Sequence, residues 1–155
     1  MTISSDRKEL KVSAIENGTV IDHIPARSLF QVISILNLDK IRQQILFGTN
    51  LESKKFGTKG IIKVSNIFLK PEDINKIALV APSATLITIR NYEVVEKKQV
   101  EVPEQINKFV KCVNPRCITN NQAVPTRFQV IDKEDLKLAC DYCEKITARD
   151  NIVFI

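Results

Sequence analysis

The chain has 155 residues, 44% of them hydrophobic, with 23 basic and 18 acidic side chains for a formal net charge of +5. That length holds one ordinary domain or two small ones, and no apolar run approaches the ~20 residues of a membrane span. Mild basicity favours an anionic ligand. An aromatic content of 6% without tryptophan leaves few stacking platforms for single strands, and four glycines form no phosphate-cradling loop.

Residues 1–9 are polar and carry no apolar leader, so they read as a disordered start of a soluble, cytoplasmic chain. Residues 11–15 alternate, Asn17-Gly18 signals a turn, and Thr19-Val20-Ile21 continues a strand. Pro25 opens a predicted helix with Leu29, Val32, Ile33 and Leu36 at helical spacing. Residues 41–47 alternate again, 49–59 read as a polar loop, and 60–69 as an apolar strand with Ile62, Val64 and Phe68 on one side. Pro71-Glu72-Asp73 starts a second helix with proline and acids in its first turn, and Pro82 stops it. Residues 86–95 are β-branched and strand-like, followed by polar 96–99 and a linker at 100–103. The order predicts an α+β fold: a ferredoxin-like βαββαβ sheet domain over 1–101, with two helices on one side, then a small β domain around a metal over 102–155. Open edges on such a sheet favour a homodimer.

The metal expectation rests on Cys112-x4-Cys117 and Cys140-x2-Cys143, the chain's four cysteines. Two close pairs with a spacer suit one tetrahedral Zn²⁺ at about 2.3 Å, in a closed four-thiolate shell that is structural rather than catalytic. With four thiolates and one divalent ion counted, the formal charge falls from +5 to +3. Two disulfides and a thioredoxin-like Cys-x-x-Cys are the competing readings.

An anion site is suggested by Asp22-His23 at a strand end just before a predicted helix N-terminus, with Lys59 and Lys63 on or near one strand and Lys97 and Lys98 beyond another. A carboxylate there can accept from ribose hydroxyls and an imidazole can donate to phosphate. A core or surface histidine and solvated edge lysines explain the same residues without a ligand. No nucleophile partners His23 and no carboxylate pair stands out, so the chain reads as a binding module rather than an enzyme. A zinc-ribbon nucleic-acid binder and a thiol oxidoreductase are the alternatives from other classes.

The run Asn17-Gly18-Thr19-Val20-Ile21-Asp22-His23-Ile24-Pro25 resembles the N-terminal signature of the regulatory chains of aspartate carbamoyltransferase. Asn91-Tyr92-Glu93-Val94-Val95 is similar to their late-strand signature, and Cys112-x4-Cys117 with Cys140-Asp141-Tyr142-Cys143-Glu144-Lys145 to their zinc module. The resemblance runs from about Val12 to the C-terminus. It implies a non-catalytic subunit of pyrimidine biosynthesis that binds CTP, ATP or UTP, pairs with a second regulatory chain, and docks on a catalytic chain through its zinc domain. The modest charge, the few aromatics and the lack of a span-length apolar run argue against a nucleic-acid or membrane partner. By motif position Ala14, Ile15 and Tyr92 meet the base, Asp22 and Lys63 the ribose and base edge, and His23 and Lys97 the phosphates. Val20, Ile89 and Val94 wall the pocket, Lys59 reaches toward phosphate, and Asn114 and Lys145 contact the catalytic chain. Two positions depart. Ile87 stands where enterobacterial members carry a polar amide, and Arg116 where they carry asparagine, leaving base preference and the direction of each effect open.

Overall fold

A computed structural model describes residues 12–54 and 57–155. The polar segment 1–9 and Lys11 of the first alternating stretch lie outside the described residues. The chain divides into two compact units, Met1–Val100 and Glu101–Ile155.

The first unit is built from β1 (Gly18–Ile24), α1 (Leu29–Ile35), β2 (Ile45–Ser53), β3 (Gly57–Ser65), α2 (Pro71–Val80), β4 (Thr85–Arg90) and β5 (Glu93–Gln99). All neighbours are antiparallel, in the order β2-β3-β1-β4-β5. The first four strands take the split-βαβ arrangement expected from the sequence, and β5 is added at one edge. Residues 86–95 are therefore not a single strand. Asn91 and Tyr92 both adopt left-handed backbone (φ 53° and 65°), which makes a tight hairpin and returns 93–99 along β4. The polar residues 96–99 belong to that edge strand rather than following the sheet.

Three other expectations shift. Residues 49–53 and 57–59 are not a loop but the paired ends of β2 and β3; their polarity is that of an edge hairpin with a register irregularity at Asn50 (φ 59°). The strand predicted over 60–69 ends at Ser65, because Asn66 turns left-handed (φ 61°) and Phe68 lies beyond it. Residues 12–17 form no strand, and β1 begins at Gly18. Gly18 has φ 141°, and a Cβ there would stand 2.0 Å from the Val64 carbonyl oxygen, so no other residue fits this close approach.

One sheet face carries the helices. Ile21 opposes Ile62 on β3 and Leu86 on β4, and all three are buried with Ile24, Leu29, Val32, Val64 and Ile77. The Leu29 side chain seats directly over Gly60, which places α1 on this face, and α2 packs beside it. Helix α2 starts as its sequence dictates: Pro71 needs no N–H donor in the first turn, and Asp73 Oδ2 accepts the Lys70 N–H at 3.3 Å. The helix predicted from Pro25 is shorter. Pro25 is extended (ψ 133°), a 3-10 turn covers Ala26–Ser28, and α1 proper spans only two turns.

The second unit is a four-stranded antiparallel sheet, β6 (Gln105–Asn107), β7 (Arg127–Asp132), β8 (Lys137–Cys140) and β9 (Ile146–Ala148), in sequence order. Its core is small: Phe128, Ile106, Val110, Leu136 and Leu138 are almost wholly buried. No helix among the described residues is long and apolar enough to cross a membrane.

Candidate effector face and metal centre

The sheet face opposite the helices holds most of the residues singled out for an anionic ligand. Residues directly opposed across strands project to the same face. A transverse row runs Leu46–Lys63–Val20–Ile87–Lys97 through all five strands. Its centre is apolar: Ile15, Val20 and Ile89 form a buried cluster against which Leu46, Ile61 and Ile87 pack. A lysine flanks this apolar centre on each side. The two lysine Cα atoms are separated by three strand steps, about 14 Å.

One pleat along β1, Asp22 opposes Thr85, which in turn opposes Gln99. The Lys59 ammonium approaches Asp22 Oδ1 at 2.8 Å, so Lys59 is ion-paired with the neighbouring carboxylate. Partial burial pushes the Asp22 carboxyl up. The Lys59 hydrogen bond, the His23 N–H and the nearby positive charge outweigh it and hold the group below its ordinary value. His23 sits in a bulge where the β1–β3 register slips, with left-handed backbone (φ 58°). Its N–H donates to Asp22 Oδ1 at 2.6 Å, its carbonyl accepts from Ser83 Oγ at 3.0 Å, and its Nδ1 lies 3.0 Å from Thr85 Oγ1. These contacts hold a conformation that histidine adopts at a cost of order 1–3 kcal/mol. The imidazole is thus placed by the bulge and by Thr85, not by a helix N-terminus, since Pro25 and a 3-10 turn intervene before α1.

Lys63 has a second engagement. Its Nζ donates to the carbonyl oxygens of Val12 and Ser13, both at 2.9 Å, and burial pushes its ammonium below the usual lysine value although Asp22 opposes this. Two of its three donors therefore pin the segment ahead of Ile15 across the sheet. Beside that segment a cleft of about 300 Å³ is lined by Ala14, Ile15, Glu16, Asn17, Gln44 and Tyr92, among others.

Tyr92 is 66% exposed in the hairpin turn, and Val94 is 59% exposed, so neither is core; Val20 and Ile89 are buried. Lys97 is exposed on β5. Sequence patterns do not single out Thr85 and Ser83. Only the β1–β4 register brings them to Asp22 and His23, and register over some sixty residues of separation leaves no local mark.

In the second unit the four cysteine sulfurs lie within 4.8 Å of one another. Cys112 and Cys143 are 3.6 Å apart, Cys117 and Cys140 3.7 Å. Thiolates tetrahedral about an ion at 2.3 Å are separated by about 3.8 Å, whereas a disulfide needs about 2.05 Å. All four are free cysteines, so the geometry fits one metal ion and excludes disulfides. The thioredoxin-like reading fails as well: Cys140–Cys143 turns from β8 toward β9, with the Glu144 N–H on the Cys140 carbonyl and Glu144 left-handed (φ 65°), and no βαβ unit is involved.

Backbone amides aim at these sulfurs. The Asn114 N–H reaches Cys112, those of Tyr142 and Cys143 reach Cys140, and that of Lys145 reaches Cys143. Burial pushes the Cys112 thiol up to about 12 and raises Cys140 too. Burial also opposes ionisation of Cys143, but hydrogen bonds from the Asn114 side chain, the Lys145 N–H and the neighbouring Cys112 and Cys140 thiols together bring that thiol to about 7. Four sulfurs this close cannot all ionise without a cation among them, which is the chemistry of a metal shell and not of a dithiol pair.

Comparison with known proteins covers both units. Residues 10–101 match the family described as aspartate carbamoyltransferase regulatory chain, allosteric domain, and residues 104–153 match its metal binding domain. The aspartate carbamoyltransferase regulatory chain of Pyrococcus horikoshii is 54% identical over 147 residues, covering 94% of this chain and 97% of that one. Those of Bacteroides fragilis and Phocaeicola vulgatus are 50% identical over 153 residues (99% and 100% covered) and 51% over 152 residues (98% of each). The two matched domains follow one another in the same order as the two units. The chain belongs to the aspartate carbamoyltransferase regulatory chain family.

Proposed function

We propose that the chain is the non-catalytic regulatory subunit of an aspartate carbamoyltransferase: its first unit senses a nucleoside triphosphate, and its second docks on the catalytic chain. The observation that carries the sensing role is the transverse row, with an apolar floor at Val20 and Ile87 and an ammonium on each side of it. A base and ribose lie over the floor, meeting Ala14, Ile15 and Tyr92 at one side, with Val94 and Ile89 as walls. Lys63 offers its remaining donor to the ribose or base edge, and Asp22 accepts from ribose hydroxyls. His23 and Lys97 take the phosphates, with Lys59 held beside them by Asp22. CTP, ATP and UTP are the effectors in this reading. Ile87 presents no hydrogen-bonding group to the base, so backbone groups near Ala14 and Tyr92 carry the discrimination.

In the second unit the metal is zinc, by the closed all-thiolate shell. When bound it supplies a cross-link and charge neutralisation, with no open position for a substrate. Asn114 and Lys145, the proposed contacts with the catalytic chain, each donate a backbone N–H to a cysteine sulfur. The docking residues thus take their positions from the metal loops. Arg116, whose N–H donates to Asn114 Oδ1 at 3.0 Å, belongs to the same surface. The exposed ring pair Phe30–Phe47, with centroids 5.9 Å apart, and the open edge of β2 suit a second copy of the chain. The assembly is cytoplasmic and has no nucleic-acid or membrane partner.

A nucleotide alters activity only through different affinities for two quaternary states, typically about 1–3 kcal/mol of coupling. The test is co-purification with a catalytic chain followed by aspartate saturation curves with and without CTP and ATP. A shifted half-saturation that requires this chain supports the reading; a catalytic chain that neither co-elutes nor responds refutes it.

A further inference from the structure

The loop between Cys112 and Cys117 is fastened from outside by three consecutive side chains that the function above leaves without a role. Asn120 donates both N–H bonds of its amide, to the carbonyls of Cys112 at 2.9 Å and Asn114 at 2.7 Å. Asn121 does the same to Pro115 at 3.0 Å and Cys117 at 2.8 Å. Thr119, just ahead of them, donates its hydroxyl to the Cys117 sulfur itself at 3.2 Å. The 3-10 turn Ile118–Asn120, entered directly from Cys117, aims the side chains back at the loop.

We infer that Thr119 and Asn120 are the outer layer of the metal centre, Asn120 setting the loop so that the Cys112 and Cys117 sulfurs converge and Thr119 drawing charge from the Cys117 thiolate. The two tasks are separable. Asn120 acts on backbone carbonyls and so governs how well the sulfurs are held together without the ion and how readily they part to release it. Thr119 acts on one ligand atom and so governs its donor strength. Hydrogen bonds of this kind to metal ligands commonly change metal affinity by about 10–100-fold. Asn121 fastens the far side of the loop and serves as support for both.

The full chain loaded with Co²⁺ reads both roles without an activity assay. In Thr119→Val the thiolate-to-cobalt charge-transfer bands should move to lower energy, because the sulfur loses a donor, while the tetrahedral d–d bands stay in place. Thr119→Ser should restore the native positions. In Asn120→Ala the spectrum should stay native, but transfer of Zn²⁺ to a competing chelator should accelerate by about 10-fold or more. Circular dichroism of each loaded variant checks that the second unit is folded. Native charge-transfer energies in folded Thr119→Val, a Thr119→Ser variant that behaves as the valine does, or a native release rate in Asn120→Ala would each overturn the assignment. If a variant fails to fold even with metal, Asn120→Asp decides: it keeps the side-chain shape but loses the donors, and native metal retention in it would also overturn the role of Asn120.

Discussion

The Lys59 ammonium stands 2.8 Å from Asp22 Oδ1, so the two charges that flank the proposed phosphate end of the effector face are already committed to each other. Lys59→Met or Asp22→Asn should each destabilise the first unit by about 1–2 kcal/mol, the lower part of the roughly 1.5–3 kcal/mol of a hydrogen bond to a charged group, because solvent reaches the pair. The pair also carries a pH signature. Because Asp22 is held below its ordinary value near 3.8, it stabilises the fold fully above that pH and loses the contribution as pH falls through the depressed folded value. Hydrogen exchange of the β1 amides should show a difference between native chain and Asp22→Asn at about pH 7 that shrinks once the pH falls below about 4. A difference that grows on acidification would contradict the assignment.

Lys63 binds the carbonyls of Val12 and Ser13, whereas residues 16 and 17 are held independently by the Tyr92 and Asn66 N–H groups at 2.9 Å each. Lys63→Met keeps the stem and removes the donors. Amides of Ser13, Ala14 and Ile15 should then exchange faster, with a local cost of about 1–2 kcal/mol, while those of Asn66 and Tyr92 keep their protection. Uniform loss of protection across all five would mean that Lys63 supports the sheet rather than the segment.

The second unit, Glu101–Ile155, buries too little apolar surface to be secure alone; a core of that size supplies about 3–5 kcal/mol at best. Metal binding to thiolates supplies about 10–16 kcal/mol of apparent free energy near neutral pH. Removing the ion with a thiol reagent, or the substitution Cys140→Ser, should therefore unfold Glu101–Ile155 and leave the exchange pattern of the first unit unchanged. The catalytic chain should be released at the same time, seen as separate peaks on gel filtration. Co-elution that persists after metal loss would remove the docking role from the metal loops.

Much of the fold is legible in the sequence because it is local. Proline and acids at 71–73 announce α2, and two cysteine pairs announce the metal shell whatever lies between them. What escapes is what depends on pairing. The Asn91-Tyr92 turn has no glycine, so the hairpin that makes β5 is hidden inside a β-branched run, and Lys97 reads as lying beyond the sheet when it belongs to its edge row. The ends of β2 and β3 look like a loop because an exposed edge hairpin is polar. The neighbourhood of Asp22, Lys59 and Thr85 exists only through the register of three strands. The family motifs name several of these residues, but not the contacts they make with one another.

Nucleotide binding across the Lys63–Lys97 row is what would make the first unit a sensor. Lys97 lies exposed on β5, where its removal should leave the sheet intact. Calorimetric titration of CTP into the metal-loaded native chain and into Lys97→Ala measures it most directly. Saturable binding of one CTP per native chain is expected, with at least about 10-fold weaker binding to the variant, a loss of about 1.4 kcal/mol, and unchanged assembly. Equal CTP affinity in the two proteins, or no binding to the native chain, would contradict it.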